Sequence, residues 1–168
     1  MAEPLPPSAE RVRQALQAAG LAAEIRVLAA STRSAADAAA ALGCTVAEIA
    51  KSLVFRARPS DRPVLVVASG TNRVDEAAVA ALAGEALAKA DAAFVRERTG
   101  FAIGGVAPVG HREPPLVVID RDLLGFAAIW AAAGTPNAVF RLTPAELVRV
   151  TGGRVAAVAA PFPPPGGA

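Results

Sequence analysis

The segment Ile49–Ser69, IAKSLVFRARPSDRPVLVVAS, contains two apolar runs rich in β-branched residues, separated by a short polar stretch. The first run is Lys51–Ala57 and the second is Pro63–Ser69, and the intervening RPSD has the composition of a turn. The pattern predicts a β-hairpin. It also places Lys51 among apolar residues, next to the junction of a short helix and the first strand, where an ammonium group needs a partner.

Helix and strand signals interleave on both sides of this hairpin. Capping residues, most of them matched by a later glycine, predict helices that begin at Ser8, Ser34, Thr45, Asp91 and Thr143. A further helix is predicted from Val74 to Leu82. Strands are predicted at Glu24–Leu28, Leu116–Ile119, Ala127–Ala132, Ala138–Leu142 and Val155–Val158.

This order of elements favours an α+β fold over a doubly wound parallel sheet. The hairpin and the short β runs indicate a mixed or largely antiparallel sheet flanked by helices, and we expect that sheet to curl into a barrel-like shape. No interior linker divides the chain, so we predict a single domain over residues 1–168 with a core at about 24–158. The Pro- and Gly-rich ends, MAEPLPP and PFPPPGGA, are expected to be flexible tails.

Composition narrows the classes of function. The 168 residues carry a formal net charge of +2, which is compatible with a local basic face but weak for a DNA-coating protein. No apolar run reaches the roughly 18–20 residues of a membrane helix, and the N-terminus lacks the features of a secretory signal. The single cysteine, Cys44, excludes an internal disulfide. We therefore expect a cytoplasmic protein with no membrane or DNA partner, no metal and no cofactor.

Two features are candidates for chemistry. Of the 17 basic residues only Lys51 and Lys89 are lysines, and Lys51 either binds a phosphate, carbonyl or carboxylate or lays its stem across a sheet edge. The loop 100–111 contains Gly104 and Gly105, and paired glycines allow close approach of a substrate and can point consecutive N–H groups at an oxyanion. The same pair is also common in plain turns.

The remaining polar residues offer weaker candidates. His111 is the only histidine, and without clustered ligands it is more typical of a hydrogen-bonded or solvated loop residue than of a metal site. No serine lies in a nucleophile elbow. Cys44 follows a helix-ending glycine, and Asp120 and Asp122 have the pattern of a turn or cap. The sequence therefore contains no convincing catalytic triad.

Several segments, taken together and in order, resemble the YbaK/EbsC family, which includes free-standing aminoacyl-tRNA deacylases and the editing domain of bacterial prolyl-tRNA synthetases. The matching segments are STRS at 31–34, ALG at 41–43, IAKSLVF at 49–55, VVASG at 66–70, GFAIGGVAPVGH at 100–111 and LTPAEL at 142–147. The resemblance spans about residues 24–158. It depends most on the lysine segment and the double-glycine loop in combination.

The resemblance implies a curled mixed sheet flanked by helices and hydrolysis of the ester that joins an amino acid to the 3′ end of a tRNA. It implies a catalytic site at Lys51, Gly104 and Gly105. Substrate contacts are expected at Ser31, Thr32, Ser52, Ser69, Pro108, His111 and Gly134. The turn around Gly134 lacks the serine and basic residues that some relatives carry, which leaves the amino-acid specificity open.

An aminoacyl ester is already activated, so the attacking group can be water, a ribose hydroxyl or the substrate's own side chain. We expect Lys51 to hold the tRNA end and the glycine amides to stabilise charge on the carbonyl oxygen. The expected partner is aminoacyl-tRNA, and the resemblance also suggests prolyl-tRNA synthetase as a partner. Two alternatives remain: a non-catalytic module that binds a tRNA end or nucleotide, and a lysine-dependent carbonyl enzyme.

Overall fold

The computed structural model describes residues 4–161, which form five α-helices and eight strands. The helices are α1 (Pro7–Ala18), α2 (Ala35–Leu42), α3 (Glu76–Ala83), α4 (Ala92–Thr99) and α5 (Pro144–Thr151). The strands are β1 (Ile25–Val27), β2 (Ile49–Arg58), β3 (Pro63–Ser69), β4 (Ala86–Lys89), β5 (Leu116–Asp120), β6 (Ile129–Ala132), β7 (Ala138–Leu142) and β8 (Arg154–Ala156). Short 3₁₀ helices occupy Val46–Glu48 and Arg121–Gly125. Of the two predicted tails, residues 1–3 and 162–168 lie outside the described residues.

The eight strands form one mixed sheet, as predicted, but the sheet is not closed into a barrel. Its strand order is β1-β7-β6-β2-β3-β5-β8, with β4 paired to β2 off this path. Within residues 4–161, β1 pairs only with β7 and β8 only with β5, so the two outermost strands do not meet. Each has only three residues. The expected α+β fold with a mixed sheet flanked by helices is confirmed, and the sheet stays open.

Local chemistry at the helix ends agrees with the sequence in most places. The Ser34 hydroxyl accepts the amide of Asp37 at 3.0 Å, and Gly43 ends α2 with a φ of 70°. Thr143 and Glu146 form the predicted capping box of α5. The expectation for Ser8 is wrong, because α1 begins at Pro7, a residue whose fixed φ suits the first helical position.

The hairpin lies at the centre of the core, and its two faces pack against different helices. On β3, Leu65 and Val67 point into the cluster that contains Val12 and Leu16 of α1; we call this side the α1 face. Val64, Val66 and Ala68 alternate onto the other side with Val79 of α3, the α3 face. Because β2 pairs antiparallel with β3, each β2 side chain lies on the face of its β3 partner.

Among the described helices, none is long and apolar enough to cross a membrane. The longest, α1, has 12 residues. Strand β4 was missed by the sequence analysis, because Ala86–Lys89 contains two alanines and no β-branched residue.

Candidate functional site

The two edges of β2 are used differently. One edge pairs with β3 without interruption from Ala50 to Arg56. The other edge pairs in parallel with β6 at Ile49 and Ala50, and antiparallel with β4 from Phe55 to Arg58. Between these two partners, residues 51–54 have no strand beside them within the described part of the chain. A gap therefore opens in the sheet next to Lys51.

A cavity of about 430 Å³ fills this gap, and its walls are mostly apolar. Leu53 and Phe55 line it from β2, Ala35 and Ala38 from α2, and Trp130 from β6. Ile103 stands at the loop side of the cavity with an exposed side chain. A concave, largely apolar site with a few polar groups is the usual form of a ligand pocket.

The charged residues of the cavity are all cationic. Arg33, Lys51 and Lys89 line it, so both lysines of the chain meet at one site. Among the lining residues that the structure describes, none is acidic. Because the chain as a whole has a net charge of only +2, this concentration of positive charge indicates an anionic ligand.

Lys51 is the third residue of β2 and pairs with Ala68, so its side chain lies on the α3 face. Burial lowers the pKa of its ammonium group, and the nearby Asp120 carboxylate partly offsets this by raising it. Asp120 itself accepts the amide of Ser69 at 3.0 Å and the side-chain amide of Asn72 at 2.8 Å. The side chain of Lys51 makes no hydrogen bond or ion pair with any residue from 4 to 161, which leaves its ammonium available to a ligand.

The double-glycine loop offers one unpartnered amide beside the cavity rather than two. Gly104 lines the cavity with a φ of +93°, and its amide has no partner among the described residues. The amide of Gly105 donates to the carbonyl of Ala102 at 3.0 Å and closes a turn. The expectation that both amides face an oxyanion is therefore wrong for Gly105, because its N–H is already used.

Gly105 has a different structural role. A Cβ at this position would lie 2.8 Å from Cα of Thr135. A Cβ on Gly134, whose φ is +94°, would lie 2.6 Å from the carbonyl oxygen of Ser8. The backbone of the turn at 134–135 is thus packed between α1 and the loop. These glycines position the loop, and Pro136 of the same turn lines the cavity.

His111 and Pro108 lie in a separate cleft, with Pro115 and Thr151 among its lining residues. His111 Nε2 is 2.5 Å from the carbonyl oxygen of Ala107, and its ring packs edge-on against Phe101. Burial lowers the pKa of His111, the bond to Ala107 raises it, and Arg11 lowers it. The structure does not bring His111 to the cavity, and the geometry is that of a histidine that braces its own loop.

The four predicted hydroxyl residues are in different environments. Ser52 lines the cavity, and its hydroxyl oxygen is buried without a hydrogen-bond partner in the described chain. Ser69 donates its hydroxyl to the carbonyl of Ala47 at 2.6 Å. Ser31 is exposed and Thr32 is buried, and neither is among the residues that line the cavity.

Lys89 and Trp130 line the cavity but were not predicted as site residues, whereas Arg33 lies in the STRS segment that carried the resemblance. A signal existed for Lys89, since it is the second of only two lysines in an arginine-rich chain. No local pattern marks Trp130, because its place in the cavity depends on how β6 packs beside β2.

Comparisons with known proteins agree with this site, in which a free lysine and a glycine loop border a cationic cavity. Residues 29–150 match the model of the aminoacyl-tRNA editing domain. The chain belongs to this family. The resemblance to YbaK-type deacylases seen in the sequence is thereby confirmed, and family membership supports a role in aminoacyl-tRNA editing.

Individual relatives match most of the length of this chain. The chain is 35% identical over 117 residues to YwhH of Bacillus subtilis (strain 168), an uncharacterized protein, covering 70% of this chain and 74% of that one. A crystal structure of a candidate trans-editing enzyme for prolyl-tRNA synthetase aligns with a TM-score of 0.90 and 46% identity over 94% of this chain and all of that one. The hypothetical protein APE2540 aligns at 0.83 and 34% identity, over 89% and 99% of the two chains.

Proposed function

We propose that this protein is a trans-editing deacylase that hydrolyses the ester of a mischarged aminoacyl-tRNA. The observation that carries the proposal is that Lys51, Lys89 and Arg33 line one apolar cavity together with the free amide of Gly104. Cationic side chains suit the phosphates of the tRNA end, and the apolar wall suits an amino-acid side chain and a nucleoside. Membership of the editing family supports the same substrate.

In the proposed reaction, Lys51 holds a phosphate or the ribose of the terminal nucleotide. The amide of Gly104 donates to the ester carbonyl oxygen as negative charge develops there. Water attacks the carbonyl carbon and gives up a proton as the tetrahedral intermediate forms. The bond to the ribose oxygen then breaks, the ribose oxygen takes that proton, and free amino acid leaves.

The attacking group receives little help from the protein in this scheme. Among the cavity residues that the structure describes there is no histidine or carboxylate to serve as a general base. A ribose hydroxyl or the substrate's own side chain can activate the reaction instead, because an aminoacyl ester is intrinsically reactive. The protein then contributes mainly orientation and charge stabilisation.

We further propose that the amino acid removed is small and that the tRNA is tRNA-Pro. Alanines supply much of the cavity wall, at positions 35, 38, 50, 90, 131 and 132, and the name of the 46%-identical neighbour refers to prolyl-tRNA synthetase. Because charged tRNA is consumed at the ribosome, we propose that the protein acts in the cytoplasm, together with that synthetase.

The test is a panel of tRNA-Pro species charged with alanine, serine, cysteine or proline, incubated with the full-length protein. We expect release of a small amino acid and no release of proline. Lys51→Ala serves as the impaired comparison, and Arg154→Ala, at an exposed residue of β8, serves as the control for net charge. Binding of tRNA with no release of any amino acid would instead favour the non-catalytic binding module.

A further inference from the structure

The unpaired edge of β2 exposes main-chain polar groups to the cavity. The amide of Ala57 donates to the carbonyl of Arg62 at 2.9 Å, so Ala57 directs its backbone toward β3. Pro63, which has no N–H, lies opposite Arg56. Because the direction of the backbone groups alternates along a strand, Ser52 and Val54 direct their N–H and C=O groups away from β3 and into the gap.

These groups have no partner in residues 4–161. No strand pairs with Ser52 or Val54 on that side, and no loop or side chain hydrogen-bonds to their backbones. The buried hydroxyl oxygen of Ser52 adds a further unpartnered polar group at the same place. Unsatisfied backbone groups beside an apolar wall are costly, and the cost is recovered when a ligand supplies the missing hydrogen bonds.

The pattern of this edge selects among chemical groups. Donors and acceptors alternate along Ser52 and Val54, which span roughly 7 Å of strand. An ammonium group only donates and a phosphate only accepts, so each would leave half of the edge unsatisfied. Adenine presents an exocyclic N–H next to a ring-nitrogen acceptor, and so can use one carbonyl and one amide of the edge together.

We propose that the edge of β2 at Ser52 and Val54 binds the base of the terminal adenosine. This inference rests on the proposed function and adds to it a binding position for the nucleoside, between the two lysines. Leu53, Phe55 and Val106 supply apolar surface for the ring. Lys51 precedes the edge along β2, and Lys89 pairs with Phe55 just beyond it, so a cation lies at each end for the phosphates.

The first experiment compares AMP with IMP on the full-length protein. Trp130 is the single tryptophan of a chain without tyrosine, and it lines the cavity, so its fluorescence reports binding. Inosine keeps the ribose and phosphate but replaces the exocyclic donor by an acceptor and the ring acceptor by a donor. We expect AMP to bind about tenfold more tightly than IMP, as is typical for a bidentate base contact. Equal affinities would overturn the inference.

CMP provides a second comparison, because cytosine also has an exocyclic N–H beside a ring acceptor. Binding of CMP as tight as or tighter than AMP would overturn the assignment of this edge to the terminal adenosine. The deacylation panel remains independent of both results. Release of amino acid without base discrimination would reject only the base site, and discrimination without release would reject only the deacylase.

A backbone variant tests the edge directly. Val54→Pro removes the N–H that faces the gap but none of the hydrogen bonds to β3, which is the position where a strand tolerates proline. We expect Val54→Pro to lose the preference for AMP over IMP and the control Val54→Ala to keep it, with similar circular dichroism. Retention of the full preference by a folded Val54→Pro would refute the inference; if that variant does not fold, the comparison on the native chain decides.

Discussion

Lys51 and Asp120 lie on the same face of the sheet, two strands apart, with Ala68 between them. The register pairs Lys51 with Ala68, and Asp120 follows Ile119, the partner of Val67. Burial lowers the pKa of Lys51, and Asp120, whose oxygens are held by backbone and side-chain amides, partly offsets this without forming an ion pair with it. The ammonium group is thus not tied to Asp120 and is free for a ligand, which is what an anchoring role requires.

Replacement of Lys51 should therefore impair activity more than folding. We expect Lys51→Ala to lower kcat/KM for deacylation by roughly 10- to 100-fold, the range for losing a hydrogen bond to a charged group. Its melting temperature should change little, because the ammonium contacts no described residue. Undiminished deacylation in this variant would exclude the proposed site, and Arg154→Ala should behave as the native chain.

The same lysine should set the alkaline limit of activity. Because burial lowers its pKa below the ordinary value of about 10.4, Lys51 loses its proton earlier than an exposed lysine as pH rises. Deacylation activity should fall over the pH range in which Lys51 loses its proton. Lys51→Arg stays protonated there, so its activity should show no such decline, even if the variant is slower. The free energy of unfolding should change in the opposite direction. Because the unfolded chain binds the Lys51 proton more tightly than the folded chain does, Lys51 makes folding more favourable as pH rises through its titration range. An identical alkaline profile in both proteins would contradict the assignment.

Lys89 should contribute to tRNA binding rather than to the chemical step. We expect Lys89→Ala to raise KM for aminoacyl-tRNA with little change in kcat, and to reduce the slope of log affinity against log salt by about 0.7, as for one single-strand phosphate contact. Deacylation assays at several salt concentrations measure both effects. A slope unchanged from that of Arg154→Ala would show that Lys89 contacts no phosphate.

Because the backbone is closely packed at Gly105 and Gly134, substitutions at these glycines should lower the free energy of unfolding. A Cβ at either position would meet backbone atoms within 3.0 Å, so Gly105→Ala and Gly134→Ala should each lower the free energy of unfolding by roughly 1–3 kcal/mol. Gly125→Ala is the matched control, because its Cβ would have no neighbour within 4 Å and its φ is not positive. Urea denaturation of the three variants measures the effect. Equal midpoints would contradict the prediction, because they would mean that the turn shifts to accommodate the added methyl group at no cost.

His111 should affect stability in a pH-dependent way and leave turnover nearly intact. Burial lowers its pKa, so the folded state favours the neutral ring. The stabilisation is present above the unfolded pKa of about 6.5 and is lost as pH falls through the lower folded value. Thermal melts of native chain and His111→Gln should therefore differ more at pH 8 than at pH 5, while deacylation rates at pH 8 stay within a few-fold. A large loss of kcat in a folded variant would place His111 in the reaction after all.

Much of the fold followed from local chemistry in the sequence. The cap at Ser34, the glycine after α2 and the capping box at Thr143 act within one helical turn, so they predict boundaries without knowledge of the rest of the chain. The hairpin 49–69 is equally local, and the lysine within it identified one wall of the site. What the sequence by itself determined was therefore most of the elements, the α+β class, the family and the candidate lysine, Lys51.

Only the tertiary structure decided how those elements make a cavity. The parallel pairing of β2 with β6 joins residues about 80 positions apart, and β4 takes the far end of the same edge. Neither pairing has a local signature, yet together they create the gap, bring Lys89 to Lys51 and leave Ser52 and Val54 without partners. The packing of the 134–135 turn likewise decided that Gly105 is a structural glycine, because a clash between two backbones depends on a contact that no single segment contains.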